Sequence, residues 1–532
     1  MASCGRVALG LGGFSTLVGR PSATRPQVTN LPHIKPTRYP ELFMKTLFRV
    51  ALAAIVAGVA IAQTVSLFQQ VGERLTANGL KADVSFLASD ALEGRGTPSK
   101  GLDIAAEYIA AQFRRAGLEP AGDDGYFQTA QFATVTPNAD GLEFSLEAGG
   151  QTLQADKAAV SVQEGAALDL SHAAAVKVSA TDFAALTPET VKGKVLLVEV
   201  ADAPAGGRGG SRRLLSAAAK AQAALVVMVR GSAPAGGGNL QLRDMASPAA
   251  VPVLTVTDAA IRAAVAAVKP GPVDGTVSVH MAAPTVVPVK LRNVVGLLRG
   301  SDPALKDTFL VLTAHYDHLG IRGAGEGDHI YNGANDDASG TASVIEIAGT
   351  LGGLAGRPRR SILFMALFGE ERGELGSRYY AQHPIFPLAK TIADVNLEQL
   401  GRTDESGEAR KIGQFNLTGF DFTDLAATFR QCAEPAGVQV VKDETRSDAY
   451  FGRSDNAPFA DVGVPSTTLS VTYEFSDYHA AGDEWPKLDY ENMAKVDRAI
   501  ALAAYRLADS AEEPRWNAEN PRTEAYRKAR GK

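Results

Sequence analysis

The stretch LFGEERGELGS (367–377) sets two carboxylates, Glu370 and Glu371, side by side directly after the apolar run SILFMALF (361–368). Like charges repel and are poorly solvated at the end of a buried strand, so the pair calls for compensating positive charge. Other acids and imidazoles recur at comparable places. The run FLVLTA (309–314) leads into HYDHLG, where His315 and Asp317 lie two apart and share one face in extended geometry. A carboxylate near a metal-bound imidazole can orient it and raise its basicity. NGANDDASG (332–340) opens the helical pattern TASVIEIAGTL with Asp336 and Asp337. Either acid suits a helix N-terminus, and beside a strand-end histidine one of them becomes a carboxylate able to bridge two cations. Glu398 follows the apolar run TIADVNL, and His479 stands in SDYHAAGDEW before the last long helical pattern.

His315, Asp336, Glu371, Glu398 and His479 together offer two imidazoles and three carboxylates. Mixed nitrogen and oxygen donors suit zinc, and two zinc ions bring enough positive charge to offset these acids. Only one of the adjacent glutamates is needed as a ligand. The other is free to hold a water or hydroxide, accept its proton and deliver that proton to a leaving amine.

The elements that must position these residues alternate from 292 onward: NVVGLL, FLVLTA, TASVIEIAGTLGGL, SILFMALF, ERGELGSRYYAQH, TIADVNL, FTDLAATFRQCAE, STTLSVT and ENMAKVDRAIALAAYRLA. Continuous apolar strands alternating with amphipathic helices predict an α/β fold, a mostly parallel central sheet covered by helices on both faces. Ligands of such sheets sit beyond the carboxyl ends of the strands. Upstream, Ala105, Ile109 and Phe113 form the apolar stripe of a helix that stops near Gly117. Residues 124–190 read as short strands. VKGKVLLVEV (191–200) reads as a strand, APAGGRGGSRR as a loop, LLSAAAKAQAA as a helix and LVVMVRG (225–231) as a strand, which together make a smaller inserted α/β module. Its glycine loops lack both phosphate-binding layouts.

The length of 532 residues predicts more than one domain. With net charge −6 and no long Lys/Arg run, nucleic acid is not an expected partner. At Met44 the text changes to MKTLFRVALAAIVAGVAIAQ, with basic Lys45 and Arg49, an apolar core from Val50 to Ala62, and Ala60 and Ala62 in an A-x-A arrangement. This is the pattern of a secretory signal peptide, too short for an ordinary spanning helix, with an uncleaved anchor as the alternative. Residues 1–43 then read as a start-site extension. Cleavage after Ala62 leaves Cys432 as the sole cysteine, so an exported chain must be held by its core or by metal.

The ordered motifs HYDHLG (315–320), NGANDDASG (332–340), FGEERGELGS (368–377), NLEQLG (396–401), SDNAPFADVGVPS (454–466) and DYHAAGDE (477–484) resemble the M28 family of zinc peptidases. The likeness is to the aminopeptidase Y and bacterial leucyl aminopeptidase group and covers roughly residues 80–510. LASDALEGRG and AAEYIAAQFRRAGLEPAG resemble its lead-in, and residues 191–256 resemble a protease-associated (PA) module. The resemblance implies two Zn2+ ions bridged by Asp336, one completed by His315 and Glu398, the other by Glu371 and His479. It implies that Asp317 orients His315, that Glu370 is the general base and acid, and that Tyr478 helps to stabilise the oxyanion. Glu398 stands where an aspartate is more frequent, which bears on how a substrate amine is held.

The domains implied are a signal peptide at 44–62, a lead-in at 63–150, a PA insertion at 151–290, a catalytic zinc-peptidase domain at 291–510 and a polar tail at 511–532. The function implied is a periplasmic or secreted metallo-aminopeptidase acting on peptides with a free N-terminus, through a zinc-activated hydroxide and a glutamate base. A carboxypeptidase or dipeptidase of the same fold is the alternative, ahead of a glutaminyl cyclase or a receptor-like binding protein.

Overall fold

The computed structural model describes residues 67–179, 186–200, 207–232, 241–246, 251–404 and 410–531. The signal peptide expected at 44–62 and the extension expected before it lie outside the described residues. Among the described residues no helix is long and apolar enough to cross a membrane.

The lead-in forms helices α1 (Ala77–Leu87) and α2 (Lys100–Arg115). In α2 the side chain of Ser99 caps the N-terminus by accepting the Leu102 N–H at 3.1 Å. Ala105, Ile109 and Phe113 are fully buried on one face, each of the larger two contributing about 1.5–3 kcal/mol through burial. Helix α2 ends at Arg115, and Gly117 turns the chain with φ +71°.

A ten-stranded sheet forms the larger part of the fold. Its main strands are β1 (Phe127–Thr136), β2 (Gln241–Asp244), β3 (Thr285–Leu298), β4 (Phe309–His315), β5 (Ser361–Leu367), β6 (Thr391–Leu397), β7 (Gln414–Leu417), β8 (Gln439–Val441) and β9 (Ser466–Ser470), in the order β8-β7-β9-β6-β4-β5-β3-β1-β2. Parallel pairing joins β9, β6, β4 and β5 at the centre. Every residue of these four strands is buried, including the hydroxyl-rich β9 (STTLS) and Asp394 and Asn396 of β6. One flank is antiparallel, β3 pairing with β5 and then, over ten residues, with β1; on the other, β7 pairs antiparallel with β9 and parallel with β8. The mostly parallel character expected from sequence therefore holds for the centre of the sheet. Strand β1 falls where only short strands were expected, and its length follows from this long ribbon with β3. Helices α3 (Ser339–Gly352), α4 (Leu375–Gln382), α5 (Leu425–Ala433) and α6 (Tyr490–Asp509) complete the domain.

The strands between Glu143 and Met281 other than β2 form a separate eight-stranded sheet with its own apolar clusters, one including Leu197, Val227 and Ile261 and another Leu196, Leu214 and Val226. Its helix Gly207–Lys220 begins inside the Gly/Arg-rich stretch expected to be a loop. After Asp509 the chain remains packed: Trp516 stacks on Tyr526 and donates its indole N–H to the Gly463 carbonyl at 2.9 Å.

Candidate metal centre

The carboxyl ends of the central strands deliver the polar residues to one place. His315 is the last residue of β4, Glu398 follows β6 directly, and Glu370 and Glu371 follow β5 after Gly369, which turns the chain with φ +70°. Asp336 and Asp337 precede α3, and His479 comes from the loop after β9. Thr341 on α3 donates to the His315 carbonyl at 2.7 Å, tying the helix to the strand end.

Asp336 occupies the centre. Its Oδ1 lies 3.2 Å from His315 Nε2, and its Oδ2 lies 3.1 Å from His479 Nε2. Around the first oxygen, His315 Nε2 is also 3.5 Å from Glu398 Oε1. Around the second, Glu371 Oε1 is 3.2 Å from His479 Nε2 and 3.0 Å from His318 Nδ1. The five residues expected as ligands thus converge as two groups sharing one carboxylate. The choice left open between the neighbouring aspartates is resolved by their backbone. Asp337 turns into the fold, its Oδ1 accepting the Gly340 N–H at 2.9 Å and the Gln399 N–H at 3.1 Å, while Asp336 faces the histidines.

The His315 ring is oriented through Nδ1, which donates to the Asp317 carbonyl oxygen at 3.1 Å and leaves Nε2 as a lone-pair donor. The Asp317 carboxylate is farther, at 3.6 Å, and its oxygens accept from Thr97 Oγ1 and from the Glu370 N–H, both at 3.0 Å. Asp317 thereby links His315 to the glutamate pair through main chain and side chain together. Tyr478 stacks on the His479 ring, centroids 4.0 Å apart.

His315 Nε2 in the first group, and His318 Nδ1 and Glu371 Oε1 in the second, are buried without a hydrogen-bond partner. Leaving such groups unsatisfied costs about 1–3 kcal/mol each, so the arrangement is one that bound cations stabilise. Imidazole and carboxylate donors at these separations fit divalent zinc.

Electrostatics point the same way. Burial pushes the Glu370 carboxyl well above the usual range, with the charges of Glu371, Glu398 and Asp455 adding to it and His315 opposing. Burial and the Asp336 charge also raise Glu371, but His318 and His479 outweigh them and bring it to about 2. Burial lowers His479, yet Asp336 and Glu371 hold it up at about 10. In this cluster imidazolium protons occupy the place of the positive charge that the carboxylates demand, and metal binding displaces them.

Several residues of the site carried no assigned role in the sequence. Arg95, fully buried, donates to the carbonyls of Leu87, Tyr316, Asn332 and Gly333, so the lead-in clamps the chain on either side of the site. Asp483 accepts the backbone N–H groups of Asn335 and Asp336 at 3.0 Å. Asn335 in turn accepts the Gly401 and Arg402 N–H groups at 2.8 Å, bracing the segment that carries Glu398. Arg95 lies in EGRG and Asp483 in DYHAAGDE, but neither spacing reveals a partner more than a hundred residues away.

A parallel-centred α/β sheet with a bridged pair of His/carboxylate groups at its carboxyl edge defines a candidate dinuclear hydrolase domain. Residues 293–504 match the family model of Peptidase family M28. The chain is 32% identical over 213 residues to a "Probable zinc metalloprotease" of Pyricularia oryzae, covering 38% of this chain and 39% of that protein. It is 25% identical over 234 residues to aminopeptidase YwaD of Bacillus subtilis, covering 42% and 46%. The chain thus spans less than half the length of these curated relatives. The aminopeptidase from Aneurinibacillus sp. strain AM-1 shares the fold, with TM-score 0.53 and 19% identity over 84% of this chain and 97% of that one.

Proposed function

We propose that this chain is an exported zinc aminopeptidase that removes N-terminal residues from peptides. The observation carrying the reading is Asp336, whose two carboxylate oxygens face separate groups of imidazole and carboxylate donors. His315, Asp336 and Glu398 would hold one ion, and Asp336, Glu371 and His479 the other. When bound, the ions supply Lewis-acid charge that polarises a peptide carbonyl and lowers the pKa of water. Glu370, on the turn after β5, would take a proton from the attacking water and pass it to the leaving amine. Asp317 fixes that glutamate through its backbone N–H. Tyr478, packed on His479, is assigned the stabilisation of charge on the carbonyl oxygen.

The similarity to YwaD and to the AM-1 enzyme, both aminopeptidases, supports that reading over a carboxypeptidase or dipeptidase. The separate sheet between Glu143 and Met281 is proposed to be the PA insertion, and the leader at 44–62 to direct the chain to the periplasm or medium. Anilides of free amino acids, their N-acetylated counterparts and C-terminally blocked peptides test the assignment. Hydrolysis confined to substrates with a free amine is expected, whereas preferential release of C-terminal residues would reverse it.

A further inference from the structure

His318 is the one imidazole at this centre that neither the sequence reading nor the proposed mechanism uses. It is 2% exposed, and both of its ring nitrogens lack hydrogen-bond partners. Nδ1 lies 3.0 Å from Glu371 Oε1 and 4.0 Å from Asp336 Oδ2, the same two oxygens that His479 Nε2 faces at 3.2 and 3.1 Å. Despite the 3.0 Å approach, Nδ1 and Oε1 are each without a hydrogen bond, so they are directed at shared space and not at one another.

We infer that His318 is a ligand of the second ion, completing a site of four protein donors: His318 Nδ1, Asp336 Oδ2, Glu371 Oε1 and His479 Nε2. Zinc bonds of about 2.0–2.1 Å in tetrahedral geometry separate donors by about 3.3 Å, a spacing bracketed by the 3.0–4.0 Å between the two imidazole nitrogens and these carboxylate oxygens. The residue is built into place. The His318 backbone N–H donates to the Arg95 carbonyl at 3.2 Å, and the Arg95 side chain donates to the carbonyls of Asn332 and Gly333. A side chain at Gly333 would put Cβ 2.4 Å from the His318 Cγ, so the glycine makes room for the imidazole.

The consequence is an asymmetric pair. The second site is closed by protein, as in structural zinc sites, whereas His315, Asp336 and Glu398 leave the first with an open position, as catalytic sites do. The closed site fills first and releases its ion last. This inference rests on the two-ion reading above, and its test separates the two.

Metal-stripped full-length protein is titrated with Zn2+ by calorimetry and with Co2+ by visible absorption, for the wild type and for His318→Asn, His318→Gln and Glu398→Gln. The wild type is expected to take up two ions in distinguishable steps, the first Co2+ giving the intense absorption of a tetrahedral site. Both His318 variants should weaken the tighter step at least about tenfold and lose that absorption, and Glu398→Gln should weaken only the other step. Circular dichroism in chelator establishes that each variant is folded. Two steps of unchanged affinity in folded His318 variants would leave the dinuclear centre standing and remove His318 from it. Weak, non-tetrahedral absorption from both equivalents in the wild type would do the same without any variant. Uptake of fewer than two ions by the wild type would overturn the two-ion reading, and this inference with it.

Discussion

The Asp483 carboxylate accepts the Asp336 backbone N–H at 3.0 Å, so the residue at the middle of the metal centre is held from behind by a buried acid 147 positions away. Asp483→Asn replaces charge-assisted acceptors with a neutral one. Loss of about 1–3 kcal/mol of stability in chelator and a 10–100-fold weaker grip on zinc are expected. Thermal unfolding and metal titration check both, and wild-type affinity in this variant would show that Asp336 is positioned without Asp483.

Glu370 and Glu371 should respond oppositely to the same change. Glu370→Gln is expected to keep its zinc and fold while kcat falls by at least about 10^2-fold, the low end for loss of general acid/base help. Glu371→Gln should instead lower zinc occupancy, because an amide is a poorer ligand and removes compensating charge. Zinc content measured beside steady-state hydrolysis distinguishes them, and near-normal turnover by fully loaded Glu370→Gln would remove Glu370 from its role.

Arg95→Met should destabilise the chain by at least about 3 kcal/mol, since four carbonyls lose their donor and nearby buried acids lose a cation. Arg95→Lys should recover only part of this, because an ammonium cannot reproduce the planar fork. Thermal or urea unfolding of the variants is the check.

How far the sequence revealed this arrangement depended on the kind of contact. Strand ends were legible because unbroken apolar runs stop abruptly at His315, Glu370 and Glu398, and period alone places such ends on one sheet edge. The Ala105, Ile109 and Phe113 stripe was legible for the same reason. The placements of His318, Arg95 and Asp483 were not, since the partners of each are brought close only by the folded topology. HYDHLG held His318 in plain view, but after β4 ends at His315 the chain turns, and strand alternation no longer tells where the side chain goes. The Asp336/Asp337 choice likewise turned on backbone direction, which residue type cannot encode.

A buried acid away from the centre gives the fold its own pH dependence. Asp497 on α6 accepts from Ser343 Oγ at 2.7 Å, and burial first, then the Glu346 charge, raises its pKa from 3.8 to about 8. The folded state keeps a proton that the unfolded chain loses above about pH 4, so this contribution is intact at low pH and declines through pH 8. Asp497→Asn mimics the neutral acid and should be more stable than wild type by at least about 1 kcal/mol at pH 8, with the difference shrinking towards pH 4. Equal pH slopes in thermal melts of the two proteins would refute the assignment.

Asp336→Ala should abolish binding of both ions at once, whereas loss of a residue on one side should spare the other. Zinc per folded chain, measured for Asp336→Ala beside Glu398→Gln and Glu371→Gln, reads this directly. Retention of one full equivalent by Asp336→Ala would show that the carboxylate is not shared.

The most direct test of the central claim is a zinc titration of the metal-stripped chain, following hydrolysis of a free aminoacyl anilide and bound metal in the same samples. No turnover is expected without metal, full turnover only as occupancy approaches two ions per chain, and none on the N-acetylated anilide. Full activity in metal-free protein, or at a single bound ion, would contradict it.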